Sequence, residues 1–194
     1  MTRFRALAYA SLVILAVAVG WMTFSWYQKL YGGDPFGAPF ELVDQRGEKI
    51  TEAAFRGQPT AVFFGFTHCP EVCPTTLFEM DGWIENLGSE AAELKAYFVS
   101  VDPERDTPEV LDQYVSNVSK RITGITGDPQ KVAEMVKAFG IYSRKVPLED
   151  GDYTMDHTAS IILLDSRGTF FGTIAYGENA DNALAKLQRL VENS

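Results

Sequence analysis

The chain has 194 residues, of which 46% are hydrophobic and 22% charged, with 17 basic side chains against 26 acidic ones and a net charge of −9. This is globular composition, long enough for one domain with a sizeable core, and its sign argues against a nucleic-acid partner. Only two cysteines and two histidines are present, so soft-metal or redox chemistry has few residues to draw on.

At the N-terminus Arg3 and Arg5 precede an apolar run from Ala6 to about Trp26, broken only by Ser11, Thr23 and Ser25. At about 1.5 Å per residue such a run spans the roughly 30 Å hydrocarbon core of a bilayer. A cleaved signal peptide, with Ala16-Val17-Ala18 as its small-residue site, is the competing reading. The run continues past those residues through Val19, Trp21, Met22 and Phe24, and Trp21, Trp26, Tyr27 and Tyr31 suit an aromatic belt at the far interface, which favours an uncleaved anchor. The expected division is a cytoplasmic N-terminus 1–5, a transmembrane anchor 6–27, a Gly- and Pro-rich linker 28–39 and a folded domain 40–194. Because basic flanks stay in the cytoplasm, the domain is expected on the periplasmic side of a bacterial inner membrane, held by a single pass. With Arg3, Arg5 and Lys29 set aside, 14 of the 17 basic residues remain against all 26 acidic ones, so the exported part carries about −12. That surface favours a basic partner, or serves solubility alone.

Along the domain, Phe40 to Thr51 alternates around Gln45-Arg46-Gly47 like a small hairpin, and Ala61 to Phe66 is a short apolar run like a buried central strand. Pro74 then suits the first position of a helix through Leu77, Met80, Trp83, Ile84 and Leu87, stopped by Gly88. Ala96 to Val101 reads as a second buried strand. Thr107-Pro108 is an N-cap with proline behind it, opening a helix over Val110, Leu111, Tyr114, Val115 and Val118. A strand at Arg121 to Thr126, Asp128-Pro129 and a helix to about Phe139, ended by Gly140, follow. Ile141 to Pro147 and Tyr153 to Met155 flank an acidic turn, Leu148 to Asp152, as a hairpin would. Strands Ser160 to Leu164 and Thr169 to Ala175 pair around Asp165-Ser166-Arg167-Gly168, before a closing helix from about Ala180 to Val191. The expected fold is α/β, a mixed sheet with helices on both faces.

The chemistry centres on Thr67-His68-Cys69-Pro70-Glu71-Val72-Cys73-Pro74, where a buried strand gives way to a helix. Unpaired amides at a helix start stabilise thiolate, which is both nucleophile and soft metal ligand. On one helical turn the two Cβ atoms would lie about 5–6 Å apart, a spacing that permits a disulfide or joint ligation of one ion. A plain structural disulfide, common in exported domains, stays open on the residues alone.

Three segments, Gly65 to Pro74, Ser100-Val101-Asp102-Pro103-Glu104-Arg105-Asp106-Thr107-Pro108, and Asp156-His157-Thr158, resemble in content and order those of the Sco/SenC copper proteins, over nearly the whole exported part. The resemblance implies a thioredoxin-like domain that binds copper through Cys69, Cys73 and His157 and assists assembly of the dinuclear copper centre of cytochrome c oxidase. It implies a metallochaperone rather than an enzyme. Its partners would be the copper-receiving oxidase subunit, with other copper chaperones or thiol reductants upstream. Two thiolates and an imidazole suit one copper per chain, as Cu(I) or Cu(II), whereas structural zinc sites usually take four ligands. His157 is expected in a loop before a strand, facing the thiols, with His68 pointing away. Asp156 is a candidate to orient His157 from outside the ligand shell, or is simply solvated. Met155 is expected to pack in the core, and Asp102 to Asp106 to form a turn with an internal ion pair. The alternative is an exported thiol–disulfide oxidoreductase with Cys69 attacking and Cys73 resolving. Against it stand three residues between the cysteines and the absence of a proline just before Ser160.

Overall fold

The computed structural model describes residues 2–31, 35–149 and 151–194, which fall into two compact units, Met1–Asp34 and Pro35–Ser194. The first is a helix, α1 (Thr2–Tyr31). Among the described residues no helix is long and apolar enough to cross a membrane. The side chains of Arg3, Arg5, Lys29, Tyr27 and Tyr31, the linker residues Gly32 and Gly33, and Asp150 of the acidic turn lie outside the described residues.

The second unit runs β1 (Glu41–Asp44), β2 (Lys49–Thr51), β3 (Thr60–Gly65), α2 (Val72–Asn86), β4 (Lys95–Ser100), α3 (Pro108–Val118), β5 (Ile122–Thr126), α4 (Pro129–Ala138), β6 (Ser143–Pro147), β7 (Tyr153–His157), β8 (Ser160–Leu164), β9 (Phe170–Ala175) and α5 (Ala180–Glu192). Seven strands form one sheet in the order β2-β1-β5-β4-β3-β8-β9, and β6 pairs with β7 separately. The centre is parallel, β3 with β4 and β4 with β5, while β8 and β1 add antiparallel on either side. Parallel strands need crossovers that cover both faces, and this sheet is covered on both. On one side Phe63 and Phe98 lie 6.0 Å apart, and Phe98 meets Tyr114 of α3. On the other, Phe64 packs on Phe139 beyond α4, and Tyr97 on Phe55. This strand alternation makes β3 the most enclosed element, every one of its residues being buried.

The helix boundaries follow local chemistry. Thr107 and Asp128 cap α3 and α4 with their side chains, each followed by proline in the first turn, as the sequence predicts. Helix α2 starts two residues earlier than expected, at Val72, so Pro74 sits third in the helix. Proline is tolerated there because the first-turn amides have no intrahelical partner to lose. Gly88, just beyond the end of α2, takes φ +60°, a conformation that glycine reaches without steric cost.

Candidate metal centre

Strand β3 delivers the chain to the C-terminal edge of the parallel strands, where open α/β sheets place their ligands. Cys69 lies in the turn before α2 and Cys73 in its first turn, so the two do not share a helical turn. Pro70 supplies the reason, since a residue preceding proline is driven out of the α region. Glu71, at the N-cap, makes no side-chain cap. The Cys73 amide donates to Cys69 Sγ instead, at 3.3 Å, so the sulfur acts as the cap. Both thiols are free, Cys69 partly exposed and Cys73 buried. Gly65 makes room for this, because a Cβ there would stand 2.8 Å from Cys73 Sγ and 2.6 Å from Phe98.

The environment separates the two sulfurs. A hydrogen bond from the Cys73 thiol, helped by the His157 side chain and backbone amides and opposed by burial, brings Cys69 down to about 4. Cys73 moves strongly the other way, because it is held as the donor to Cys69 and is desolvated. At neutral pH the pair is one partly exposed thiolate and one buried thiol.

His157 is the last residue of β7 rather than a loop residue. Its Nδ1 lies 3.0 Å from the Thr158 carbonyl, which can only accept, so Nδ1 carries a hydrogen. Nε2 is then the atom turned to sulfur, 3.7 Å from Cys73 Sγ. Protonated, it donates to thiolate; deprotonated, it offers a lone pair to a soft cation. The edges of Phe66 and Phe63 close over the ring. Asp156 does not perform the orienting task foreseen for it. Strand alternation turns it outward, where it pairs with Arg144 at 3.7 Å, while Met155 and His157 face inward. Met155 is buried in the core, as expected. His68 has a half-exposed side chain, and its Nδ1 meets Thr67 Oγ1 at 3.1 Å.

The positioning roles of two residues escaped sequence reasoning. Asp106, fully buried, accepts from Ser100 Oγ at 2.6 Å, from Thr67 Oγ1 at 2.6 Å and from Thr67 N at 3.1 Å. It ties the turn entering Cys69 to the end of β4, and burial raises its carboxyl despite these bonds. Arg105 forms the expected internal ion pair with Asp102, at 2.5 Å. It also reaches the carbonyl of Tyr153 at 2.9 Å, on the strand that carries His157. The signal was present in Ser100 to Pro108, a dense polar run between a buried strand and a helix, but its contacts lie far away in sequence.

Among the described residues no group of three or more His, Cys, Asp and Glu side chains is already spread around space for an ion; the Cys73 sulfur and the imidazole touch instead. The donor set still fits a soft cation of low coordination number, with two sulfurs and an Nε2 free of other protein partners.

Comparison with known proteins agrees with this architecture. ScoI of Bradyrhizobium japonicum, solved with copper bound, is 44% identical, with a TM-score of 0.74 over 80% of this chain and 99% of that one. Yeast Sco1 with copper bound is 31% identical, with a TM-score of 0.75 over 82% of this chain and 90% of that one. The human protein SCO1 homolog, mitochondrial, is 36% identical over 155 residues, covering 78% of this chain and 51% of its own length. The chain spans about half to two thirds of the length of the first curated relatives it matches. Residues 28–192 match the family model described as SCO1/SenC, and with a thioredoxin-like sheet carrying both thiols where its parallel strands end, the chain belongs to the SCO1/SenC family.

Proposed function

We propose that the chain carries one copper ion as cargo, Cu(I) or Cu(II), on Cys69, Cys73 and His157, and acts as a chaperone for the dinuclear copper centre of cytochrome c oxidase. It would act by copper delivery, by reduction of target cysteines, or by both. The observation that carries this reading is the approach of His157 Nε2 to Cys73 Sγ at 3.7 Å, beside a second sulfur held at the helix start. A dithiol built for redox work alone has no need of an imidazole there. The copper-receiving oxidase subunit is the natural acceptor, with a copper chaperone or thiol reductant upstream. The apolar run 6–27 and its basic flank support a single-pass inner-membrane anchor with the domain on the periplasmic side. Resistance of the full-length chain to alkaline extraction from membranes tests the anchor, and a soluble mature form starting near Val19 would refute it.

Copper titration of the reduced full-length protein tests the site. One ion per chain is expected, with tight binding lost in Cys69→Ala and in Cys73→Ala; undiminished binding by the double variant would end the reading. A second reading, thiol–disulfide exchange, is favoured by the pairing of a low-pKa exposed Cys69 with a protonated buried Cys73. It predicts dithiol turnover without copper that survives loss of His157.

A further inference from the structure

The thiols sit at the end of the seven-stranded sheet, but His157 does not belong to that sheet. Among the described residues its strand, β7, pairs only with β6. Among the described residues no ladder hydrogen bond joins β7 to β3 directly; the His157 end of β7 is tethered through Thr158 and Ala159 to β8, which pairs with β3, and the far end depends on side-chain contacts. Those contacts converge on Tyr153, at the other end of β7. The Tyr153 hydroxyl donates to Asp102 Oδ1 at 2.8 Å, and Asp102 is itself buried and held, its amide donating to Ser100 Oγ at 2.9 Å. Arg105 Nη1 donates to the Tyr153 carbonyl at 2.9 Å. The Tyr153 ring faces two cations: the Arg105 guanidinium carbon 3.8 Å from its centroid and Lys145 Nζ 4.6 Å away. Lys145, on β6, pairs with Glu104 at 2.5 Å. The loop that makes these contacts is fastened to the thiol strand, since Val101 N donates to the carbonyl of Gly65 at 2.8 Å.

We propose that Tyr153 and Arg105 are positioning residues that pin the β6–β7 hairpin to the 101–106 loop, and so set the preference of the site for Cu(II) over Cu(I). The proposal rests on the copper reading above. Tyr153 and His157 are four residues apart, about 13 Å along a strand. With the His157 end tethered to β8, release at Tyr153 lets β7 turn about that end, and for an imidazole nitrogen roughly 4.5 Å from its backbone a turn of about 13° moves it by about 1 Å, several times the roughly 0.2 Å tolerance of a metal–ligand distance. Cu(I) is satisfied by two thiolates, whereas Cu(II) draws on nitrogen ligation as well. A loosened hairpin therefore costs Cu(II) and spares Cu(I).

The test compares Tyr153→Phe, which keeps the ring between its cations and deletes only the bond to Asp102, with Tyr153→Leu, which deletes both, in the full-length protein in detergent. Cu(II) and Cu(I) affinities are measured by competition, and nitrogen hyperfine structure is read from the Cu(II) resonance spectrum. Tyr153→Leu should lose Cu(II) affinity by about 10- to 100-fold, as loss of an outer partner does at other metal sites, with weakened nitrogen coupling and little change for Cu(I). Tyr153→Phe should fall between it and the parent. Equal losses for both ions, or Cu(II) binding unchanged in both variants, would overturn the proposal. If Tyr153→Leu fails to fold, Tyr153→Phe and Arg105→Lys carry the same comparison. If the parent chain binds neither ion, the copper reading fails separately, and the positioning claim is decided without metal. The nuclear Overhauser contact between the His157 and Phe66 rings should then vanish in Tyr153→Leu, and its persistence would overturn the proposal.

Discussion

Cys69 should react as a thiolate far below the pH at which an ordinary cysteine does. An unperturbed thiol titrates near 8.5, while the Cys73 thiol and its neighbours bring Cys69 to about 4. At pH 5 Cys69 is about nine tenths thiolate, and an ordinary cysteine about 0.03%. The gain is not fully expressed, because lowering thiol basicity by about 4.5 units at a Brønsted slope of 0.4–0.5 removes roughly two decades of nucleophilicity. The metal-free reduced protein should therefore attack a neutral aliphatic disulfide about 30-fold faster than an ordinary cysteine at pH 5, equal it near pH 6.5, and fall behind above that. Cys73→Ala removes the leading cause of the shift, so its rate at pH 5 should drop and its profile regain a slope. Cys73→Ser, which retains a donor, should keep part of the plateau. The same shift has a stability sign. The folded-state value lies below the unfolded one, so the contribution is complete above about pH 8.5 and is lost as pH falls through about 4. A wild-type rate that climbs tenfold per pH unit between 5 and 7 would refute the assignment of Cys69 as the thiolate.

His157→Ala should leave both thiols and their ability to form a disulfide intact yet weaken Cu(II) binding strongly and shift its thiolate charge-transfer bands, while loss of the half-exposed His68 ring, turned to Thr67, in His68→Ala does much less; a larger loss in His68→Ala would reverse the choice of histidine. Asp106→Ala should destabilise the protein by about 3 kcal/mol in urea melts, because Ser100 and Thr67 lose their buried acceptor; a change under about 1 kcal/mol would mean that water replaces the carboxylate. Gly65→Ala should cost about 1–3 kcal/mol by overpacking, and the displaced Cys73 should show as a changed charge-transfer spectrum; a wild-type spectrum would mean that Phe98 alone gives way.

Much of the domain was legible because its signals are local. Apolar runs mark β3 and β4, Thr107-Pro108 and Asp128-Pro129 mark the starts of α3 and α4, and Gly88 and Gly140 mark stops, all within a few residues of the features they specify. The differences arise where a neighbour or a distant contact decides. Pro70 keeps Cys69 off the helix, and a four-residue spacing alone does not say whether two cysteines share a turn. Strand alternation sends Asp156 to solvent, where sequence adjacency to His157 had suggested contact. The orienting acceptor for the imidazole turned out to be a backbone carbonyl, which every residue carries and no sequence pattern announces. Asp106 and Tyr153 act across 39 and 51 residues of sequence, and no periodicity reports a partner at that range.

The inequality of the two sulfurs bears on how a cargo ion would leave. Transfer between thiolate sites proceeds by ligand exchange, in which an incoming thiolate adds as a resident one departs. The departing ligand should be the one with the weaker hold and the more open approach. Cys69 has the more open approach, being partly exposed, whereas Cys73 is enclosed against Gly65 and Phe98. The same inequality governs the redox alternative. Closing the disulfide releases two electrons and the Cys73 proton to an oxidant and takes from both sulfurs the thiolate charge that ligation requires. Copper loading and disulfide formation would therefore be exclusive uses of one pair of atoms, and His157, a proposed ligand that also hydrogen-bonds to Cys69, would bear on both.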